Sequence, residues 1–412
     1  MKISNILLAV AVAAITAIGL EAQNAVTPYS RIAYGILNDN LTGIQRSMGG
    51  VGIAMQNGRQ INVVNPASYS QVDSLTFLWD VGTHLSFNWS QENGKRGRTI
   101  GGGLDYLTGE FRIARGLGGA FGLVPYSSVG YTFGGKIDNG KETRVGSGGL
   151  SELFVGFGYE PVKGLSIGAN VSYLFGTITN ETQIATASTS QFQRVTEVRD
   201  WNIKVGLQYG VNVTPKDRLV LGFTYQPKKY YHGHAWGTYY DIANDTKADT
   251  VGFCPLKGNY EQAAGYGAGL SYTRDNRLTL EADFLYQQWS KAKYRAITGY
   301  EADDMTFDDR WKASFGISYT PDPRGNYLNR MTYRIGGFYN HDYINVRDNN
   351  VRDYGIGLGF SFPALGGKTL VNLGFEWRHR YSAPVLYIKE DILNITLSVN
   401  FNELWFWKNK IR

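Results

Sequence analysis

The stretch "LNITLSVNF", residues 393–401, sets Leu393, Ile395, Leu397, Val399 and Phe401 against Asn394, Thr396, Ser398 and Asn400. A β-strand turns successive side chains to opposite faces, so this nonapeptide has one apolar face and one polar face. The period recurs. "LSIGANVSYLF" (165–175) opposes Leu165, Ile167, Ala169, Val171, Tyr173 and Phe175 to Ser166, Gly168, Asn170 and Ser172. "IKVGLQYGVNV" (203–213) and "YGIGLGFSF" (354–362) follow the same rule. "LTLEADFLY" (278–286) and "VNLGFEWR" (371–378) place Glu281, Asp283, Asn372, Glu376 and Arg378 on the polar side.

Strands of this kind lie near 75–90, 100–112, 117–136, 142–160, 163–183, 195–213 and 217–235. The others lie near 257–273, 277–298, 305–320, 329–343, 350–362, 369–383 and 386–401. That makes about fourteen, an even number, as single-chain bacterial barrels require. In a soluble sandwich the apolar face is buried; in a membrane barrel it meets lipid and the polar face lines the lumen. The inverted arrangement is expected here. The apolar faces are long and uniform, and they end in Tyr159, Tyr173, Phe175, Trp201, Tyr286, Trp289 and Trp377, as interfacial aromatic girdles do.

Composition agrees. The chain holds 51 Gly, 28 Tyr, 20 Phe and 9 Trp, with only 18% charged residues, against about 7% Gly and about 25% charged in soluble domains. Tight turns at 160–164, 214–217, 273–276 and 363–368 alternate with long polar stretches expected to be loops, Ile178–Arg194 and Tyr230–Leu256. The formal charge of +6 is spread along the chain and points to no nucleic acid. The lone Cys254 excludes an intramolecular disulfide.

The first 23 residues carry Lys2, an apolar run from Ile6 to Leu20 and small residues near Ala22, the pattern of a cleaved secretory signal. The expected organisation is a signal peptide (1–23), an N-terminal segment (24–74), a transmembrane antiparallel β-barrel (75–401) and a periplasmic tail (402–412).

Residues 24–74 do not alternate. Gly50 and Gly52 supply two glycines of a dinucleotide loop, but Met55 stands where the third belongs, and no βαβ unit surrounds them. The segment is too rich in Ile, Val, Met and Tyr for a disordered linker. Lumen-facing positions of the strands are often Gly, Ser or Asn and leave volume inside the barrel. The segment is therefore expected to fold into the lumen as a plug, with Gly49, Gly50 and Gly52 permitting tight turns and Asn65, Pro66 and Ala67 delivering the chain to the wall.

"SMGGVGIA" (47–54), centred on Met48 and Gly49, followed by "NPAS" (65–68) and some fourteen strands, resembles the FadL/TodX family of outer-membrane transport proteins. The resemblance implies an N-terminal hatch inside a 14-stranded barrel. It also implies a kinked third strand that opens a lateral route to the membrane. In "GLVPYSSVGY" (122–131), Pro125 cannot donate to a ladder, so Pro125, Tyr126 and Ser127 mark either that break or an ordinary bulge at a strand end or barrel rim. The end, "NELWFWKNKIR" (402–412), resembles FadL-like proteins of Bacteroidetes, some of which serve secretion machinery.

Enzymatic chemistry finds little support. No G-x-S-x-G occurs. His232 and His234 lack nameable third and fourth metal ligands, and "EADDMTFDDR" (301–310) lacks the EF-hand spacing. The expected function is passive uptake of a hydrophobic or amphipathic small molecule across the bacterial outer membrane. The alternative is a plugged barrel that acts as a scaffold or partner subunit of an envelope or protein-secretion complex. No cofactor or metal is expected. The expected partners are the outer-membrane lipid bilayer, a hydrophobic small-molecule or lipid ligand, and an envelope protein.

Overall fold

A computed structural model of the chain describes residues 27–243, 247–256, 258–297, 302–304, 307–364 and 369–404. Residues 1–26, which include the expected signal peptide, and residues 405–412 lie outside them. Fourteen long strands form the wall: β1 Thr76–Glu92, β2 Lys95–Ala114, β3 Leu117–Ile137, β4 Gly140–Val162, β5 Leu165–Ala185, β6 Thr189–Asn212 and β7 Asp217–Gln226. The circuit continues with β8 Gly265–Arg274, β9 Leu278–Gln287, β10 Arg310–Tyr319, β11 Thr332–Val346, β12 Asn349–Pro363, β13 Leu370–Ala383 and β14 Ile388–Leu404. Each pairs antiparallel with its sequence neighbours, and β14 pairs with β1 from Thr76↔Leu404 to Glu92↔Ile388, closing the ring. Closure pairs the first strand with the last, so the sheet has no terminal edges of the kind a bilayer does not tolerate.

The barrel is inside-out relative to a soluble protein. Ile167, Val171, Ile203, Val205, Leu207, Ile356 and Leu358 are exposed, whereas Asn372, Glu376, Thr396, Ser398 and Asn400 are buried. Tyr159, Phe175, Trp201 and Trp377 stand exposed on the outer face. Trp289 departs from expectation: it is buried at 1% exposure. β9 stops at Gln287, and a 3-10 turn at Trp289–Lys291 folds the indole inward.

The two expected long loops are mostly strand. β5 and β6 keep pairing up to Ala185↔Thr189. Residues 233–243 and 247–256 form a hairpin whose first arm continues the sheet from β6. A membrane crossing needs only about 9–11 residues, so these strands run on into water, where both faces are polar and the alternation that reveals a strand disappears. These excursions lie at the end remote from Thr76 and Leu404, which assigns that end to the extracellular side.

Candidate functional site

Residues 27–74 run inside the ring of strands. A single helical turn, Gly43–Ser47, lies against β11–β14, and a 3-10 turn, Pro66–Gln71, lies against β3–β6 on the opposite wall. The segment thus crosses the lumen.

Glycine makes the fit. Gly49 and Gly50 have φ of +74° and +86°, the left-handed region that ends the helical turn, and Gly50 N–H donates to the Gln45 carbonyl at 2.8 Å. A Cβ on Gly49 would stand 2.5 Å from the Gly337 carbonyl oxygen, and one on Gly316 would stand 2.5 Å from that of Met48. Gly52 opens a turn, its carbonyl accepting from Met55 N–H at 3.3 Å. Its φ is not positive; its backbone is crowded by Gln45 and Val64, and its N–H donates to Asp283 Oδ2 at 2.6 Å. Ile53 N–H donates to the same oxygen at 2.8 Å.

Asn65 is fully buried. Its Oδ1 accepts from Ala67 N–H at 3.1 Å and caps the 3-10 turn, while its Nδ2 donates to the carbonyls of Ile53 (2.7 Å) and Leu207 (3.3 Å). Pro66 occupies the first position of that turn, where its missing N–H costs nothing. On the wall, a methyl group at Gly168 would overlap Pro66 and one at Gly206 would overlap Asn65; at Gly158 it would come within 2.7 Å of the Pro66 carbonyl. Met48 and Ala67 are buried in the same contacts.

Polar side chains absent from the sequence-level reading add to this. Gln45 Nε2 donates to Asn62 Oδ1 at 2.7 Å, and Asn62 Nδ2 donates to the Gly52 carbonyl at 2.7 Å. Asp39 receives Arg310 at 2.6 Å and Lys312 at 2.7 Å. Burial alone would raise its pKa, but the two cations and their hydrogen bonds more than offset it, holding the carboxyl well below the usual range. Arg310 and Lys312 share a face of β10 by period two, a signal that could have marked them. Arg46 reaches Asp105 at 3.1 Å, and Glu376 and Arg378, which the alternation had already placed on the polar face, pair at 3.0 Å.

The expected strand break has a defined geometry. β3 pairs with β4 through Pro125↔Ser151 and resumes at Ser127↔Leu150, so Tyr126 is an extra, bulged residue. β2 pairs with β3 only from Ala114↔Leu117 to Leu107↔Leu123. Beyond that point the strands part, and residues 27–38 take β2's place beside β3. Leu37 and Ile36 pair with Ser127 and Ser128, Asn38 N–H donates to the Tyr126 carbonyl at 2.9 Å, and Thr27 N–H donates to that of Gly130 at 2.8 Å.

Toward the extracellular end the lumen is filled by side chains of the segment and of the wall. Tyr34, fully buried, meets Trp289 at 6.0 Å and Tyr294 at 5.0 Å between ring centres, and Trp289 lies 4.6 Å from Tyr343. Tyr126 joins this cluster, edge-on to Tyr34 at 6.4 Å. Two cavities flank the segment. One of about 130 Å³ is lined by Asp39, Asp105, Asp342, Arg310, Arg378 and Arg380, among others. The second, about 100 Å³, includes Glu152, Asn170, Asn202, Lys204, Gln226 and Asp283 in its lining. Among the described residues no three His, Cys, Asp or Glu side chains are placed to hold a metal ion. His232 Nδ1 instead lies 2.8 Å from Asp200, and Asp309 of the acidic stretch accepts from Tyr286 and Ser290.

The model of one protein family, described as BamG, matches residues 3–412. The chain belongs to the BamG family. No curated protein sequence matches it. Among solved structures, this BamG-family chain is similar to the Pseudomonas putida toluene transporter TodX, with a TM-score of 0.65 at 17% identity over 90% of this chain and 100% of that one. A FadL homologue from Pseudomonas aeruginosa gives 0.65 at 11% identity over 89% and 99%. The Ralstonia pickettii toluene transporter TbuX gives 0.61 at 15% over 88% and 98%. At such identities the likeness establishes the fold, a FadL-type barrel.

Proposed function

We propose that this chain is an outer-membrane barrel kept closed by residues 27–74, and that it works as a partner subunit of an envelope complex. The observation that carries this reading is how the lumen is filled. Much of its apolar surface is used up in a core of the protein's own side chains around Tyr34, Trp289 and Tyr343; the second cavity mixes apolar side chains such as Val63, Phe154 and Leu285 with polar ones, and the one of about 130 Å³ is lined by charges. A hydrocarbon entering that space would separate or desolvate ion pairs, at a cost of several kcal/mol. Dense pairing across the lumen, through Asp39 to β10 and Asp283 to Gly52 and Ile53, suits a fixed support better than a gate.

A second reading is uptake of a hydrophobic or amphipathic compound with lateral exit into the membrane. It is favoured by the parting of β2 and β3 above Leu107↔Leu123, beside the bulge at Pro125, Tyr126 and Ser127, and by the toluene transporters that share the fold. Native mass spectrometry of the full chain, extracted from its own outer membrane in mild detergent, separates the two. A stoichiometric protein partner supports the first reading. A barrel carrying only lipid or a small apolar ligand overturns it in favour of the second.

A further inference from the structure

The parting of β2 from β3 leaves one strand edge uncovered. The upper edge of β3 is capped by residues 27–38, as described above. The corresponding edge of β2, from Lys95 to Tyr106, pairs on its far side with β1 (Glu92↔Lys95 to Gly82↔Tyr106) and, among the described residues, with no strand on the side that β3 vacates. Below its basic tip the stretch carries an outward apolar face: Ile100 and Leu104 are exposed at 56% and 50%, beside exposed Leu85 and Trp89 of β1. Gly101, Leu104 and Asp105 of this edge border the cavity of about 130 Å³, and on the lipid side unmatched N–H and C=O groups are unstable, because hydrocarbon offers no hydrogen-bond partner. Gly101, Gly102 and Gly103 occupy the middle of the edge, and glycine in a strand suits the close approach of another backbone.

We propose that the Lys95–Tyr106 edge of β2 is a docking site for a β-strand of another outer-membrane protein, which extends the sheet by strand addition. The proposal rests on the partner-subunit reading and names its contact surface. The extracellular tip of the edge carries Lys95, Arg96 and Arg98, all exposed. This charge argues against a second copy of the chain. Two copies in one membrane share an orientation, so a twofold axis along the membrane normal would set their β2 edges parallel and in register. Lys95, Arg96 and Arg98 would then each lie beside their own copies, a repulsive pairing. The fitting strand belongs to a different protein, with apolar residues at alternate positions toward lipid and acidic residues at its extracellular end.

The test uses the full chain in its native outer membrane, with a photoreactive residue at Ile100 or Leu104, and at Val155 of β4 as a control on a fully paired strand. Folding of each variant is checked by heat-modifiable gel mobility. Cross-linked peptides from positions 100 and 104 should fall on one strand of one partner protein, with attachment sites four residues apart, while position 155 should label lipid. A triple Lys95→Glu, Arg96→Glu, Arg98→Glu variant should retain roughly tenfold less of that partner, since like charges would now meet. Cross-links to lipid alone, to a second copy, or to partner sites without the four-residue spacing would overturn the proposal. A partner that copurifies but cross-links elsewhere would leave the subunit reading standing and refute this site alone.

Discussion

Asp39 joins the N-terminal segment to the barrel wall through Arg310 and Lys312, residues that follow it by more than 270 positions. Replacing it by Asn leaves two buried cations without their anion and should lower stability by on the order of 3 kcal/mol, read as a fall in Tm in detergent. Its pH dependence has a definite sign. The folded carboxyl titrates below its ordinary value, so its contribution is complete above about pH 4 and fades as pH falls below that toward the folded value. Protease protection of the segment should therefore weaken between neutral pH and about pH 3, and Asp39→Asn should flatten that part of the profile. Unchanged protection in the variant would show that the pair does not hold the segment. Gly206 gives a complementary test: any side chain there overlaps Asn65, so Gly206→Val should cost about 1–3 kcal/mol by overpacking and leave the wall's outer face unaltered. Gly49, Gly50 and Asn65 were legible in the sequence because local turn chemistry marks them. Asp39 was not, since its role depends on partners that only the closed barrel brings near. Trp289 misled for the converse reason: a strand-like aromatic belongs to a girdle only if its strand continues, and β9 ends two residues earlier.

The alternating residues made the strands legible, with boundaries good to a few residues inside the membrane and poor outside it. Where β5 and β6 leave the apolar band, both faces are polar, and the ladder continues on backbone hydrogen bonds that carry no sequence pattern. Pro125 marked the place of the bulge in β3, whereas the parting of β2 beside it was not legible: Ile36 and Leu37 stand where β2 would have been. Cysteines at Ile36 and Ser128, which face each other in this short ladder, fall in the range of about 4.5–5.5 Å between Cα atoms that a disulfide spans. In a Cys254→Ser background, mild oxidation should join them nearly completely in the folded protein. A pair that stays reduced would show that this part of the segment does not line the wall.

For the whole molecule, the sequence carried the class, the strand number and the inverted faces, because each follows from a period of two and from composition. What fills the barrel was less legible. Small lumen residues announce free volume without saying which chain occupies it, and the glycines that meet Met48, Gly49, Asn65 and Pro66 become meaningful only in register with them. Closure of the lumen by residues 27–74 has a direct electrical signature. Conductance in planar bilayers tests this most directly, with the full mature chain compared against a variant lacking residues 27–74. The full chain should insert without steady conductance steps, and the deletion should open a stable pore. Steady conductance by the intact chain, equal to that of the deletion, would contradict the account.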